Sequence, residues 1–123
     1  MKKVPANPVR IEVMGEEFVE KAMAATDATS QPLQDFINEH AWGSVWEREG
    51  LTRKERSLIT VAVLTTLRAT SQLRGHVRGA LNNGLSQEEI VEAILHCAIY
   101  AGMPAAGEAT KVAQEVFNAL AEN

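Results

Sequence analysis

Two stretches of this chain are apolar nearly all the way round at helical length: Leu58 to Leu67, and Ile90 to Tyr100. A helix lying on a protein surface keeps one polar face, so a helix without one must be covered on several sides. Both are therefore predicted to be central helices. In a chain of 123 residues, one layer of neighbours leaves part of such helices uncovered, which predicts self-association.

The start signals agree. Thr52-Arg53-Lys54-Glu55 and Ser86-Gln87-Glu88-Glu89 have the spacing of capping boxes, in which the hydroxyl and the glutamate each satisfy a free amide. Asn83-Gly84 reads as the stop of an intervening helix. Ala105, Ala109, Val112, Val116 and Leu120 recur at threes and fours and predict a last helix with one buried face. Upstream, Phe18, Val19, Ala22 and Met23 suit a short amphipathic helix from Glu16, ending in the polar run 26–31. A further helix after Pro32 carries Leu33, Phe36 and Ile37 and frays near Gly43 into a loop, 44–50, with Trp46 as its anchor. Residues 1–15, with Pro5 and Pro8, read as an arm that packs on a neighbour. No alternating strand pattern is present. The expected fold is all-α, about six helices in one domain over residues 1–123.

Hydrophobic residues are 46% and charged residues 23% of the chain, the balance of a compact globular protein. A formal charge of −4 argues against a general nucleic-acid binder. No stretch suits a secretory signal or a membrane span, and the single cysteine, Cys97, cannot form an internal disulfide. A cytoplasmic location fits best. His40, His76 and His96 share no metal-ligand spacing, so no metal site is expected.

Chemistry concentrates between Gln72 and Gly84. On a helix, His76 lines up with Gln72 and with Gly79 and Ala80, whereas Arg74 and Arg78 stack on another face. A small-residue notch beside an imidazole admits either a neighbouring backbone or a ligand. His76 suits acid/base work because imidazole titrates near neutrality, and the competing reading is a packing histidine. Of the six arginines from Arg48 to Arg78, Arg48, Arg56 and Arg78 are candidates to clamp an anion through the guanidinium fork. Arg53 is better explained by ion pairs with nearby glutamates. Trp42 and Trp46 are core or interface anchors, though an aromatic loop can also wall a pocket. Packing is the default reading for His96 and Cys97.

Four separated motifs occur in order: Trp46-Glu47-Arg48-Glu49-Gly50-Leu51, Arg56-Ser57-Leu58, His76-Val77-Arg78-Gly79-Ala80-Leu81-Asn82-Asn83-Gly84, and Ala98-Ile99-Tyr100-Ala101-Gly102-Met103-Pro104-Ala105-Ala106. Together they resemble the carboxymuconolactone decarboxylase family, within the alkylhydroperoxidase-like superfamily, over about residues 36–117. The resemblance implies an all-helical fold and a homo-oligomer, often a hexamer. It also implies decarboxylation of 4-carboxymuconolactone to 3-oxoadipate enol-lactone in protocatechuate catabolism, the β-ketoadipate pathway, with no cofactor and an anionic lactone as substrate.

On that resemblance His76 and Gln72 are the candidate catalytic residues, and Arg48, Arg56, Arg78, Trp46 and Tyr100 the candidate substrate contacts. The superfamily's peroxidase branch carries Cys-x-x-Cys-x-x-x-His. Laid over this chain, the histidine falls on His76 but the cysteines fall on Ala69 and Gln72. Thiol peroxidase chemistry needs both thiols, so that mechanism is excluded. Gln72 stands where some decarboxylases of the family carry glutamate: if that carboxylate is essential, Gln72 counts against activity, whereas as a hydrogen-bond donor its amide orients the substrate or His76. The alternative reading is a non-catalytic or differently specialised oligomeric member of the superfamily.

Overall fold

The computed structural model describes residues 6–122, which are helical throughout apart from turns and short links. The chain divides into two compact units, Met1–Thr52 and Arg53–Asn123.

The first unit corrects the expected arm. Residues 1–5 lie outside the described residues, but Pro8–Met14 form a helix, α1. Asn7 caps it, its side chain accepting from the Val9 amide at 2.8 Å. Pro8 stands at the start of the helix, where its missing N–H is one of the amides a helix leaves unused, so this proline opens the helix rather than preventing it. Gly15, at φ 93°, links α1 to α2 (Glu16–Ala24). Asp27 then accepts from the amides of Thr29 and Ser30, forming the turn into α3 (Gln31–Phe36).

From α3 the chain does not fray. Ile37–Val45 continue as a π-helix, closed by the five-residue bond from the Trp46 amide to the Ala41 carbonyl at 2.9 Å. The wider turn directs Asn38 and Trp42 inward. Gly43 fits because a Cβ there would stand 3.0 Å from the Asn38 carbonyl oxygen. Val13, Met14, Val19 and Trp42 form this unit's apolar cluster. Beside it Arg10, Gln31 and Asn38 are also buried.

The second unit is a four-helix bundle of α4 (Arg53–Leu67), α5 (Thr70–Asn82), α6 (Gln87–Ala101) and α7 (Met103–Ala121). Two pairs of contacts fix the direction of α4 and α6. Lys54 meets Glu89, and Cys97 donates toward the Ala62 carbonyl, so both helices run the same way. The short links make α5 and α7 run the opposite way. α5 and α6 stand at opposite corners, while α4 and α7 each touch every other helix of the bundle. The Ser86 capping box forms as its sequence predicts, with Glu89 N to Ser86 Oγ at 3.0 Å and Ser86 N to Glu89 Oε1 at 2.9 Å.

Small side chains let these helices approach closely. Ala80, Ala106, Ala109 and Ala113 are buried with Val61, Leu73, Val77, Ile90 and Ile94. One consequence corrects the expected all-round burial of α4. Its inward stripe is Ser57, Val61 and Thr65, whereas Leu58, Ile59, Val63 and Leu67 face outward. Likewise α6 buries Ile90, Ile94 and Cys97 and exposes Val91, Leu95 and Ile99. A close-packed bundle needs only a narrow stripe from each helix, so the remaining apolar residues stay uncovered within one chain.

Candidate active site

His76 lies mid-way along α5 and is half-buried; Gln72, one turn earlier, is exposed. Asn83 defines which way this side of α5 looks: its Nδ2 donates to Ser57 Oγ at 2.8 Å and to the Arg53 carbonyl at 3.4 Å, both on α4. At 3.6 residues per turn, His76 lies within about 20° of Asn83 round the helix axis, so it too is on the α4 side. Arg56 is on α4 and half-buried. Taking Ser57 and Asn83 as level, Arg56 and His76 stand about two helical turns apart along the paired helices.

The notch beside the imidazole is settled in favour of packing. Gly79 and Ala80 are both buried in the bundle, so the space over them is filled by neighbouring helices. His76 sits at the border of that buried stripe rather than within it.

Two candidates are not brought to His76 within the bundle. Arg78 lies about 160° away round the same helix, on the exposed side. Arg74, on that same side, reaches Glu115 of α7. Tyr100 is 80% exposed on α6, the corner opposite α5, and its ring neighbour is His96 at 5.2 Å. His96 is itself exposed, which corrects the expectation of packing, whereas Cys97 is buried as expected.

Trp46 and Arg48 belong to the first unit. Trp46 stacks on the buried Trp42 with ring centroids 4.9 Å apart, and Arg48 follows it, exposed, in the turn that ends the π-helix. The aromatic anchor predicted for this segment is thus a tryptophan pair.

A cavity of about 650 Å³ opens between α4 and α6, over Leu58, Ile59, Ala62 and Ala93, with Glu88 and Glu92 at its edge. It includes none of the candidate site residues. Among the described residues, no group of three or more His, Cys, Asp or Glu side chains could hold a metal ion. Among the described residues no helix is long and apolar enough to cross a membrane either.

Sequence reasoning passed over Arg10. It is only 6% exposed, and burial pushes its guanidinium pKa down because the charged form loses its hydration. The signal was available: Arg10 precedes Val13 and Met14 by three and four positions, so any helix that buries those residues also turns Arg10 inward.

These features sit in a chain whose residues 31–115 match the carboxymuconolactone decarboxylase family. The chain belongs to that family. It is 46% identical over 112 residues to the 4-carboxymuconolactone decarboxylase of Acinetobacter baylyi, covering 91% of this chain and 84% of the relative. A nitrosuccinic acid decarboxylase from Metarhizium robertsii is 44% identical over 114 residues, covering 93% of this chain and 80% of the relative. The fold agrees with the family resemblance read from the separated motifs, and the all-α prediction holds across the described residues.

Proposed function

We propose that this protein is a carboxy-lyase that converts 4-carboxymuconolactone to 3-oxoadipate enol-lactone and carbon dioxide without a cofactor. The observation that carries this reading is the 46% identity, over 91% of the chain, to a 4-carboxymuconolactone decarboxylase.

The substrate supplies its own electron sink. As the carbon–carboxylate bond breaks, its electron pair moves through the conjugated double bond onto the lactone carbonyl, giving a dienolate. A proton delivered to carbon then completes the product. What remains for the protein is to hold the anion, stabilise the developing oxyanion and supply that proton. In this proposal His76 is the proton donor or the dienolate stabiliser, and the proton it gives up is replaced from solvent. Gln72, one turn away on the same helix, orients the imidazole or the substrate. Arg56, in the same unit as His76, holds a carboxylate group, and Arg48 and Trp46 stay as proposed substrate contacts carried by the first unit. Arg78 and Tyr100 are left out of this set because α5 and α6 turn them away from His76 within the bundle.

The uncovered outer faces of α4 and α6 support self-association. Leu58, Ile59, Val63 and Leu67, with Val91, Leu95 and Ile99, are large apolar side chains that one chain leaves exposed, and such faces mark interaction surfaces. A homo-oligomer, with the hexamer as the expected count, covers them.

A second reading has its own observation. The nitrosuccinic acid decarboxylase matches almost as closely and over slightly more of the chain. A nitro group next to a carboxylate accepts the departing electron pair much as a conjugated carbonyl does, so the same residues would serve a nitro-dicarboxylate. The test is to offer purified protein each compound separately, following lactone absorbance and carbon dioxide release. Turnover of the lactone with a kcat/KM at least 100-fold above that for nitrosuccinate supports the first reading. The reverse order supports the second, and turnover of neither leaves a binding protein on the same fold.

A further inference from the structure

Arg10 is held in an unusual way. Both of its hydrogen bonds leave from one corner, Nη1, to Gln34 Oε1 at 2.9 Å and to Asn38 Oδ1 at 3.1 Å. A guanidinium Nη carries two hydrogens, so that corner is fully used. Nε is closed to solvent and has no hydrogen-bond partner. Among the described residues no carboxylate pairs with Arg10, and its two partners are neutral amides. The one carboxylate of α3, Asp35, is engaged by Gln31 Nε2 at 2.7 Å. Asn38 in turn directs its Nδ2 toward Met23 Sδ at 3.8 Å, which keeps its oxygen facing Arg10.

The two amides thus fix the plane of a buried cation while leaving its charge uncompensated. Burying an arginine without a counter-charge is costly, and arginines in such surroundings are normally matched by an anion. The unspent edge, Nε with Nη2, presents two parallel N–H groups, the arrangement that grips a carboxylate through two oxygens at once. No hydrogen bond has to be given up at Nε for a carboxylate to take that edge.

We infer that Arg10 is a carboxylate-binding site, its Nε and Nη2 edge receiving a carboxylate group from a small dicarboxylate or from an Asp or Glu of a second copy of this chain. Gln34 and Asn38 are its positioning residues. The inference is independent of the decarboxylase reading, since any carboxylate suffices and no bond is broken.

The test uses the full chain, the variants Arg10→Met and Arg10→Lys, and succinate as probe with neutral succinamide as control. Calorimetric titration and thermal unfolding read succinate binding, and sedimentation equilibrium reads self-association. Arg10→Met, which removes the charge and keeps the bulk, is expected to weaken either succinate binding or self-association at least tenfold. Loss of succinate binding alone identifies a small dicarboxylate, and loss of self-association alone identifies a carboxylate of the second copy. If Arg10→Met does not fold, Arg10→Lys decides: it keeps the charge without the fork and should still weaken the same quantity several-fold. A folded variant with both quantities unchanged overturns the inference. So does a wild type that neither binds succinate nor self-associates.

Discussion

The two units of this protein solve the same problem with different materials. The unit from Arg53 to Asn123 builds its centre mainly from interdigitating alanine, valine, leucine and isoleucine, with the small hydroxyls of Ser57 and Thr65 buried on α4, and its ion pairs Arg68–Glu108, Arg74–Glu115 and Lys54–Glu89 stay at the surface. Among the described residues, the unit up to Thr52 buries four apolar side chains and sets a buried arginine and two buried amides beside them. A close-packed aliphatic bundle is a rigid platform on which to mount His76. A small cluster threaded by a π-helix and a buried cation is poorer as scaffold. If that contrast holds, truncating the interior of the second unit costs more than truncating that of the first.

The largest expected effect concerns chemistry on that platform. His76→Ala should lower kcat by about 10² to 10⁴, the range a positioned general acid contributes, with the helical circular dichroism of the wild type retained. A loss below tenfold would return His76 to the role of a packing residue. Next, truncating the interiors separates the units. Leu73, 1% exposed, and Met14, 3% exposed, each stand to lose about 2–5 kcal/mol on replacement by alanine. Leu73→Ala should fall at the upper end, because close-packed helices cannot relax into the cavity, and Met14→Ala at the lower. Urea denaturation of both variants checks the order, and the opposite order would break the contrast.

Smaller effects sharpen it. Asn83→Ala leaves Ser57 without its partner and should cost about 1–3 kcal/mol, read by the same denaturation. Gly43→Ala gains helix propensity but forces a methyl against the Asn38 carbonyl, for a net loss of about 1 kcal/mol. The smallest effect is electrostatic. The Ser86 amide, reinforced by Lys54, lowers the pKa of Glu89, and Arg68 lowers that of Glu108, both from an ordinary 4.5. A carboxylate with a depressed folded pKa adds stability above its unfolded pKa and loses it as pH falls through the folded value. Stability should therefore decline slightly as pH drops below about 4.5, and Glu89→Gln combined with Glu108→Gln should flatten that decline.

What was legible in the sequence follows the same division. The second unit obeys periodicity and capping: the Ser86 box, the Asn83-Gly84 stop and the α7 stripe all form where their spacing places them. The direction of the large side chains on α4 and α6 misled, because a run of aliphatics cannot announce which of them faces out: Ser57, Val61 and Thr65 take the inward stripe of α4, and Ile90, Ile94 and Cys97 that of α6. The first unit obeys other rules. Pro8 resembles a break but starts a helix, and the π-helix has no periodic signature distinct from fraying. At the candidate site, the helix period correctly separated His76 from Arg78. It could not say whether the notch at Gly79 and Ala80 held a ligand or a helix, because that depends on neighbours brought in by the tertiary fold.

The central claim is that a histidine on this platform, with no cofactor, completes a decarboxylation for which the substrate supplies the electron sink. The most direct measurement is loss of lactone absorbance when purified wild-type protein, dialysed against EDTA and free of added flavin, metal or thiol, meets 4-carboxymuconolactone. The account predicts full conversion with one carbon dioxide released per lactone consumed. Absence of turnover by folded protein, or turnover restored only by an added cofactor, would contradict it.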